Sequence, residues 1–369
     1  MLGKNIKMRM NTKKIAIIAG ALQIGMHAFM VNAAGIDDRV SVHGFGDTGY
    51  IRAVENNYTN KVSGSNWDYN YLSVNFTAQV DEKTKIVAEI RGGSEITSDS
   101  GAYVNYNLTD NLTARAGQMK APIGIYNEIR DVKFLQLSTL EPLMYRDSAG
   151  TLPASFKGIG GIYHLDMGTH RLSFDIYGGE PKGSNISTAT PIGYMLTKNI
   201  YGGRVTYKTP IGLRLSVSSF QNDTLLSQTT NAATDPNALQ GPKKLSSLSL
   251  NYLSNNFDIK MEYAVASAFD HSGTAYYAQA GYTFAGKFTP YIRYDRLLYD
   301  NDKAEDPTFY QHSSVLGITY LLNRSVSLRV ENHWNHGYAI PSTVQGTNFK
   351  NATAKLDWNI FAMGLNFIF

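Results

Sequence analysis

The chain has 369 residues, of which 12% are aromatic and 17% charged, with 33 glycines and 24 tyrosines but no cysteine. That excludes a disulfide scaffold, a cysteine-ligated metal and a cysteine nucleophile, and the Gly- and Tyr-rich profile suits an all-β protein with tight turns. The formal charge of +4 becomes −1 once the first 33 residues, with five basic and no acidic side chains, are set aside, so net charge gives no support for nucleic-acid binding.

At the N-terminus, Lys4, Lys7, Arg9, Lys13 and Lys14 precede an apolar run from Ile15 to Val31 that closes on Ala33 and Ala34. A basic start, an apolar middle and a small-residue exit predict a secretory signal peptide over residues 1–33, with Met10 as an alternative start. Gln23 and His27 within the run speak against permanent membrane residence. Beyond it, over 34–369, no apolar run reaches about 18 residues, so no membrane-crossing helix is predicted.

Alternation then dominates. Leu72, Val74, Phe76, Ala78 and Val80 share one face, and Ser73, Asn75, Thr77 and Gln79 the other. Phe257, Ile259, Met261, Tyr263 and Val265 oppose Asp258, Lys260 and Glu262 in the same way. Val326, Leu328 and Val330 oppose Ser327, Arg329 and Glu331. A period of two marks strands with one apolar and one polar face. Short turns are predicted at 81–82, 109–111, 166–168, 209–212, 254–256, 285–287 and 322–324. Between them fall longer polar connections near 54–67, 92–100, 120–156, 180–198, 221–243, 268–274, 300–311 and 337–352. Seven short and eight long connections in alternation imply sixteen strands in up-and-down order.

A soluble sandwich does not sort its loops by length, whereas a transmembrane barrel does. Closure also removes the strand edges that hydrocarbon cannot tolerate. The predicted fold is therefore all-β, a sixteen-stranded antiparallel transmembrane β-barrel over 34–369. Its last strand carries Phe361, Met363, Leu365, Phe367 and Phe369 on one face, and this aromatic ending resembles the signal read by outer-membrane assembly machinery. Tyr50, Tyr201, Tyr207, Tyr252, Tyr282 and Tyr320 are candidates for the interfacial aromatic girdles.

The third long connection, about 120–156, breaks the pattern. After the strand that carries Arg115 come Pro122, Gly124 and a charged run of Glu128, Arg130, Asp131 and Lys133. In a sixteen-stranded barrel the lumen is wide enough for water and for such a loop to fold into. The length, signal peptide, terminal Phe and strand count resemble Gram-negative general porins. The segment GQMKAPIGIYNEIRDVKF, followed by Ser138 and Tyr145, is similar to the phosphate-selective porin O/P-type superfamily. That specific likeness covers about thirty residues, against a mature-chain likeness in architecture alone. The resemblance implies a third loop folded into the lumen and a homotrimer in outer-membrane lipid; the residues themselves offer no cofactor, metal or catalytic motif, and none is expected.

By strand phase Lys85, Arg91, Arg115, Arg204, Lys208, Arg214, Lys260, Arg293 and Arg329 point inward, with Glu89, Asp175, Asp258, Glu262, Asp295 and Glu331. Charges facing a narrow lumen bias which ions enter. The candidate constriction set is Arg115, Lys120, Glu128, Arg130, Asp131, Lys133, Arg204, Arg214, Arg293 and Arg329. Phosphate-specific relatives rely on an arginine ladder and a lysine cluster; here the arginines are scattered and Lys120 stands without a Lys-rich run. The expected function is passive diffusion of small hydrophilic solutes or ions with weak anion preference. Three alternatives stay open: a channel specific for phosphate or a small organic acid, with Ile123, Ile125, Tyr126, Phe134 and Tyr145 lining a sliding surface or else anchoring the loop; loop charges that pin the loop instead of selecting solutes; and a barrel enzyme using His312 with Ser314, or the pair His333 and His336.

Overall fold

The computed structural model describes residues 39–56, 65–93, 101–146, 152, 154–181, 185–187, 194–227, 239–340 and 355–369. The expected signal peptide lies outside them. The chain forms β1 (Val40–Val54), β2 (Ser65–Gln79), β3 (Thr84–Gly93), β4 (Gly101–Asn107), β5 (Leu112–Lys120) and β6 (Ser155–Met167). There follow β7 (His170–Pro181), the three-residue β8 (Asn185–Ser187), β9 (Tyr194–Lys208), β10 (Leu213–Ser227), β11 (Leu239–Leu253) and β12 (Phe257–Ala268). The last are β13 (His271–Tyr282), β14 (Phe288–Leu298), β15 (Tyr310–Asn323), β16 (Val326–Gly337) and β17 (Asp357–Ile368). Each of the long strands pairs antiparallel with its neighbours, and β8 only adds a short pairing beside β9. The wall is thus a closed barrel of sixteen strands.

Closure joins β1 to β17 from Phe45 opposite Ile368 to Val54 opposite Asn359. Gly44 and Phe369 extend it with reciprocal backbone hydrogen bonds of 2.9 Å. The Phe369 ring lies over Gly44, where a Cβ would displace it. The last residue of the chain therefore helps to remove the edge of the sheet.

The two faces of the wall follow the alternation read from sequence. Ile159 and Ile176, on the outer face, are 69% exposed, whereas Asp295 and Arg329 are fully buried on the inner face. This inverts a soluble protein, and it leaves apolar side chains around the whole outer circumference. All seven predicted short turns lie between consecutive strands. One expected long connection is not long. The segment 268–274 is a two-residue hairpin, Phe269-Asp270, because the β12–β13 ladder continues to Ala268 opposite His271.

Candidate functional site

The connection from β5 to β6 contains a single helical turn, α1 (Tyr126–Ile129), and two 3-10 turns at Lys133–Leu135 and Leu143–Tyr145. It packs its apolar side chains against the inner face of the wall. Ile123, Tyr126, Leu143 and Tyr145, each nearly or fully buried, cluster with Phe220, Leu245, Ala264, Tyr277 and Leu297. These wall residues occupy inward phases, where the strand pattern otherwise places polar groups. Ile125 is also buried. The apolar residues 123, 125, 126 and 145 therefore anchor the loop and offer no sliding surface; Phe134 is half-buried.

Polar contacts complete the seat. The Glu262 carboxylate accepts from the backbone N–H of Ile125 (2.8 Å) and Tyr126 (3.1 Å), and from Ser249, Tyr145 and Tyr277 hydroxyls at 2.6, 3.0 and 2.9 Å. Gly124, at φ +59°, makes this approach feasible, since a Cβ would collide with the Glu262 carboxylate. Four strands further round the wall, on β16, Glu331 accepts from the Thr139 and Leu140 N–H groups at 3.0 and 2.8 Å and from the Tyr291 hydroxyl. Arg293 donates to Ser138 Oγ (2.8 Å) and the Leu140 carbonyl (3.0 Å), while Asp295 holds its Nε at 2.8 Å. Thr319 donates to the Leu137 carbonyl at 2.6 Å. The loop is thus bonded to inward residues of β12, β14, β15 and β16.

The charged run is fully engaged. Glu128 forms a two-pronged bond with Arg214 (2.7 and 2.8 Å) and pairs with Arg204 at 2.5 Å; Arg204 also meets Asp175 at 3.1 Å and the Gly124 carbonyl at 3.1 Å. Asp131 pairs with Arg91 at 2.6 Å and with Lys120. Arg130 and Lys133 turn instead to Glu141 within the loop, at 2.9 and 3.0 Å. Loop acids therefore bond to wall and strand-end bases, and loop bases bond to a loop acid.

Burial disfavours the charged Glu128 carboxylate, but Arg204 and Arg214 outweigh it and hold the pKa well below the ordinary value. Glu141 is likewise lowered, burial being outweighed by Arg130 and Lys133. Lys133 is raised, because Glu141 outweighs the burial that would lower it.

Arg115 differs from Arg130, Arg204, Arg214 and Arg293. Among the described residues it has no acidic partner, only the Tyr103 ring at 5.8 Å. It borders a cavity of about 90 Å³ with Lys120, Glu128, Asp175 and Arg204, between the loop and the β5–β9 wall. Arg329 lies apart, fully buried near the short-turn end of β16. Sequence reasoning placed the acids Glu262, Asp295 and Glu331 inward but did not give them to the loop, and it left Arg91 out of the set. The available signal was the row of apolar residues at inward phases: Phe220 faces Leu245 across β10–β11, and Ala275 faces both Ala264 and Leu297.

The residues weighed for a barrel enzyme are dispersed. His312 and Ser314 face outward, and His333 and His336 point to opposite faces. Ser313, His333 and Glu331 do form a chain on the inner face, with contacts of 3.5 and 3.0 Å. The first is long for a hydrogen bond, all three residues are buried, and the Glu331 oxygens are occupied by the loop. For a metal, His271, Asp300 and Asp302 bring ligand atoms within 4.8 Å. His271 already contacts Asp300 at 3.0 Å, however, and the Lys303 ammonium lies 3.9 Å from the same carboxylate.

No family model and no curated protein matches the chain. Solved structures do match. OmpT of Vibrio cholerae aligns over 90% of this chain and 99% of its own, with a TM-score of 0.59 at 13% identity. Salmonella typhi OmpF, solved with daunomycin, covers 89% of this chain and 97% of its own at TM-score 0.59 and 11% identity. An anion-selective porin from Comamonas acidovorans covers 89% and 99% at TM-score 0.57 and 13% identity. At these identities the likeness is one of fold. It extends over nearly the full length of each neighbour.

Proposed function

We propose that the protein is a porin of the Gram-negative outer membrane, a water-filled passage for passive diffusion of small hydrophilic solutes or ions, with no chemical step. One observation carries the reading: a closed barrel whose outer circumference is apolar and exposed while its inner face is polar, an arrangement that suits lipid outside and water within. The anion-selective porin among the structural neighbours supports it. In this reading the 121–154 loop lies across the lumen and sets the constriction, since its bonds run to inward residues on many strands. The long connections face the outside of the cell and the short turns the periplasm. The homotrimer implied by the porin resemblance belongs to the same proposal.

Ion preference follows from what the pairing leaves over. Arg204, Arg214, Arg91 and Arg293 are matched by Glu128, Asp175, Asp131, Glu89 and Asp295, so they offer no ladder of unengaged guanidiniums for phosphate. Arg115 remains as a cation beside the loop, which favours a weak preference for anions. The test is reconstitution of purified protein in planar lipid bilayers. Stepwise conductance with a reversal potential of anion sign in a salt gradient is expected, and a preparation that inserts without raising conductance would overturn the reading.

A further inference from the structure

Arg329 sits on the inner face of β16 and is fully buried, yet its Nε, Nη1 and Nη2 all lack hydrogen-bond partners. A guanidinium cannot shed its proton to escape burial, so each unmatched N–H remains a costly group. The nearest carboxylate along its own strand cannot help. Glu331 spends its two oxygens on the Thr139 and Leu140 N–H groups, the Tyr291 hydroxyl and His333.

Three further unmatched groups lie around Arg329. Ser327 and Asn366 face each other across β16–β17, one inward position from Arg329, and the Ser327 hydroxyl and the Asn366 amide nitrogen are both buried without partners. Arg329 itself stands opposite Gly364, which contributes no side chain. The loop residue Thr139 takes up that space, with its Oγ1 3.0 Å from where a Gly364 Cβ would be, and this hydroxyl is also unmatched. The carboxylate on that side belongs to Asp47, on β1 opposite Asn366. Donors thus far outnumber acceptors, and all the donors are enclosed.

We propose that Arg329, Ser327, Asn366 and Thr139 form a binding site for a small monovalent anion of halide size, enclosed between the β16–β17 wall and the underside of the loop. Such an ion accepts from the guanidinium fork and from the amide and hydroxyl donors together. Asp47, facing the group from β1, disfavours a dianion. The site is distinct from the Arg115 side of the constriction. The ion would tie the loop to β16 and β17, where Glu331 otherwise holds main chain only.

Bromide is the probe. Crystals of the full-length mature protein soaked in bromide are expected to show anomalous density beside Arg329 and Asn366. In solution the unfolding temperature should rise with bromide and saturate when gluconate is the balancing anion. Arg329→Met should abolish the density and flatten the titration. Should that variant fail to fold, Asn366→Leu should shift the bromide titration midpoint several-fold higher. Anomalous density confined to Arg115 and other loop-facing bases, or only water beside Arg329, would overturn the proposal. The measurement is independent of conduction, because a barrel that conducts nothing can still hold the ion.

Discussion

Replacing Glu262 by Gln should unlatch one half of the 121–154 loop without opening the barrel. The carboxylate accepts five hydrogen bonds from Ile125, Tyr126, Tyr145, Ser249 and Tyr277. An amide keeps one acceptor oxygen and turns an NH₂ group toward the remaining donors, so at least two of these bonds are lost. At about 1–3 kcal/mol for each buried donor left unmade, the cost is about 2–6 kcal/mol. The β12 backbone ladder to β11 and β13 is untouched, so the loss falls on the loop's attachment. At about 1.4 kcal/mol per tenfold, local opening at residues 125 and 126 should rise roughly 30-fold or more. Hydrogen exchange with mass spectrometry reads this directly, with the β14–β15 peptides as the unchanged reference. Single-channel conductance should increase in parallel. Unaltered protection at 125 and 126 would refute the reasoning, whatever the conductance.

Arg115→Glu should move the reversal potential toward cations, because it reverses the candidate arginine that borders the cavity beside the loop without an acidic partner; an unchanged potential removes Arg115 from the selectivity set. Gly124→Ala forces φ +59° on a residue with a Cβ, at about 1–2 kcal/mol before the collision with Glu262 is counted, and should lower the unfolding temperature and raise conductance noise. Acid should release the loop. Glu128 and Glu141 have lowered folded-state pKa values, so their contribution is complete above the ordinary 4.5 and is lost as pH falls through those lower values. Lys133, being raised, contributes fully below 10.5 and loses its contribution only above that. Exchange at residues 126–135 should therefore stay flat from about pH 5 to pH 9 after correction for intrinsic rates, and accelerate below pH 4.

The barrel was legible because its signal is repeated in every strand. Leu72 and Phe76 or Met261 and Tyr263 need only alternate with polar neighbours for the outer face to be known, and short turns such as Asp166–Gly168 set the count. The hairpin at Phe269-Asp270 was misread because a polar, Gly-containing stretch, DHSG, looks like a loop although its backbone keeps pairing. The loop's partners were less visible. Glu262 and Glu331 appeared only as inward acids, since alternation tells which face a residue takes but not what crosses the barrel to meet it. The inward Phe220, Leu245 and Leu297 carried that information, as breaks in phase that a purely solvated lumen would not require. The charges of residues 128–133 posed a choice between selecting solutes and pinning the loop, and their pairing with Arg214, Arg204, Arg91 and Glu141 is a geometry that pins.

Much of the loop's attachment is made through its main chain. Glu262 grips the peptide N–H groups of residues 125 and 126, Glu331 those of 139 and 140, and Arg204, Arg293 and Thr319 grip the carbonyls of 124, 140 and 137. Peptide groups are common to every residue except for the missing N–H of proline. Side chains elsewhere in the loop that do not pack on the wall can therefore change while the loop's path stays where it is. In the proposed pore, inheritance of position is thereby separated from inheritance of lining, and new solute preferences can be sampled without rebuilding the frame.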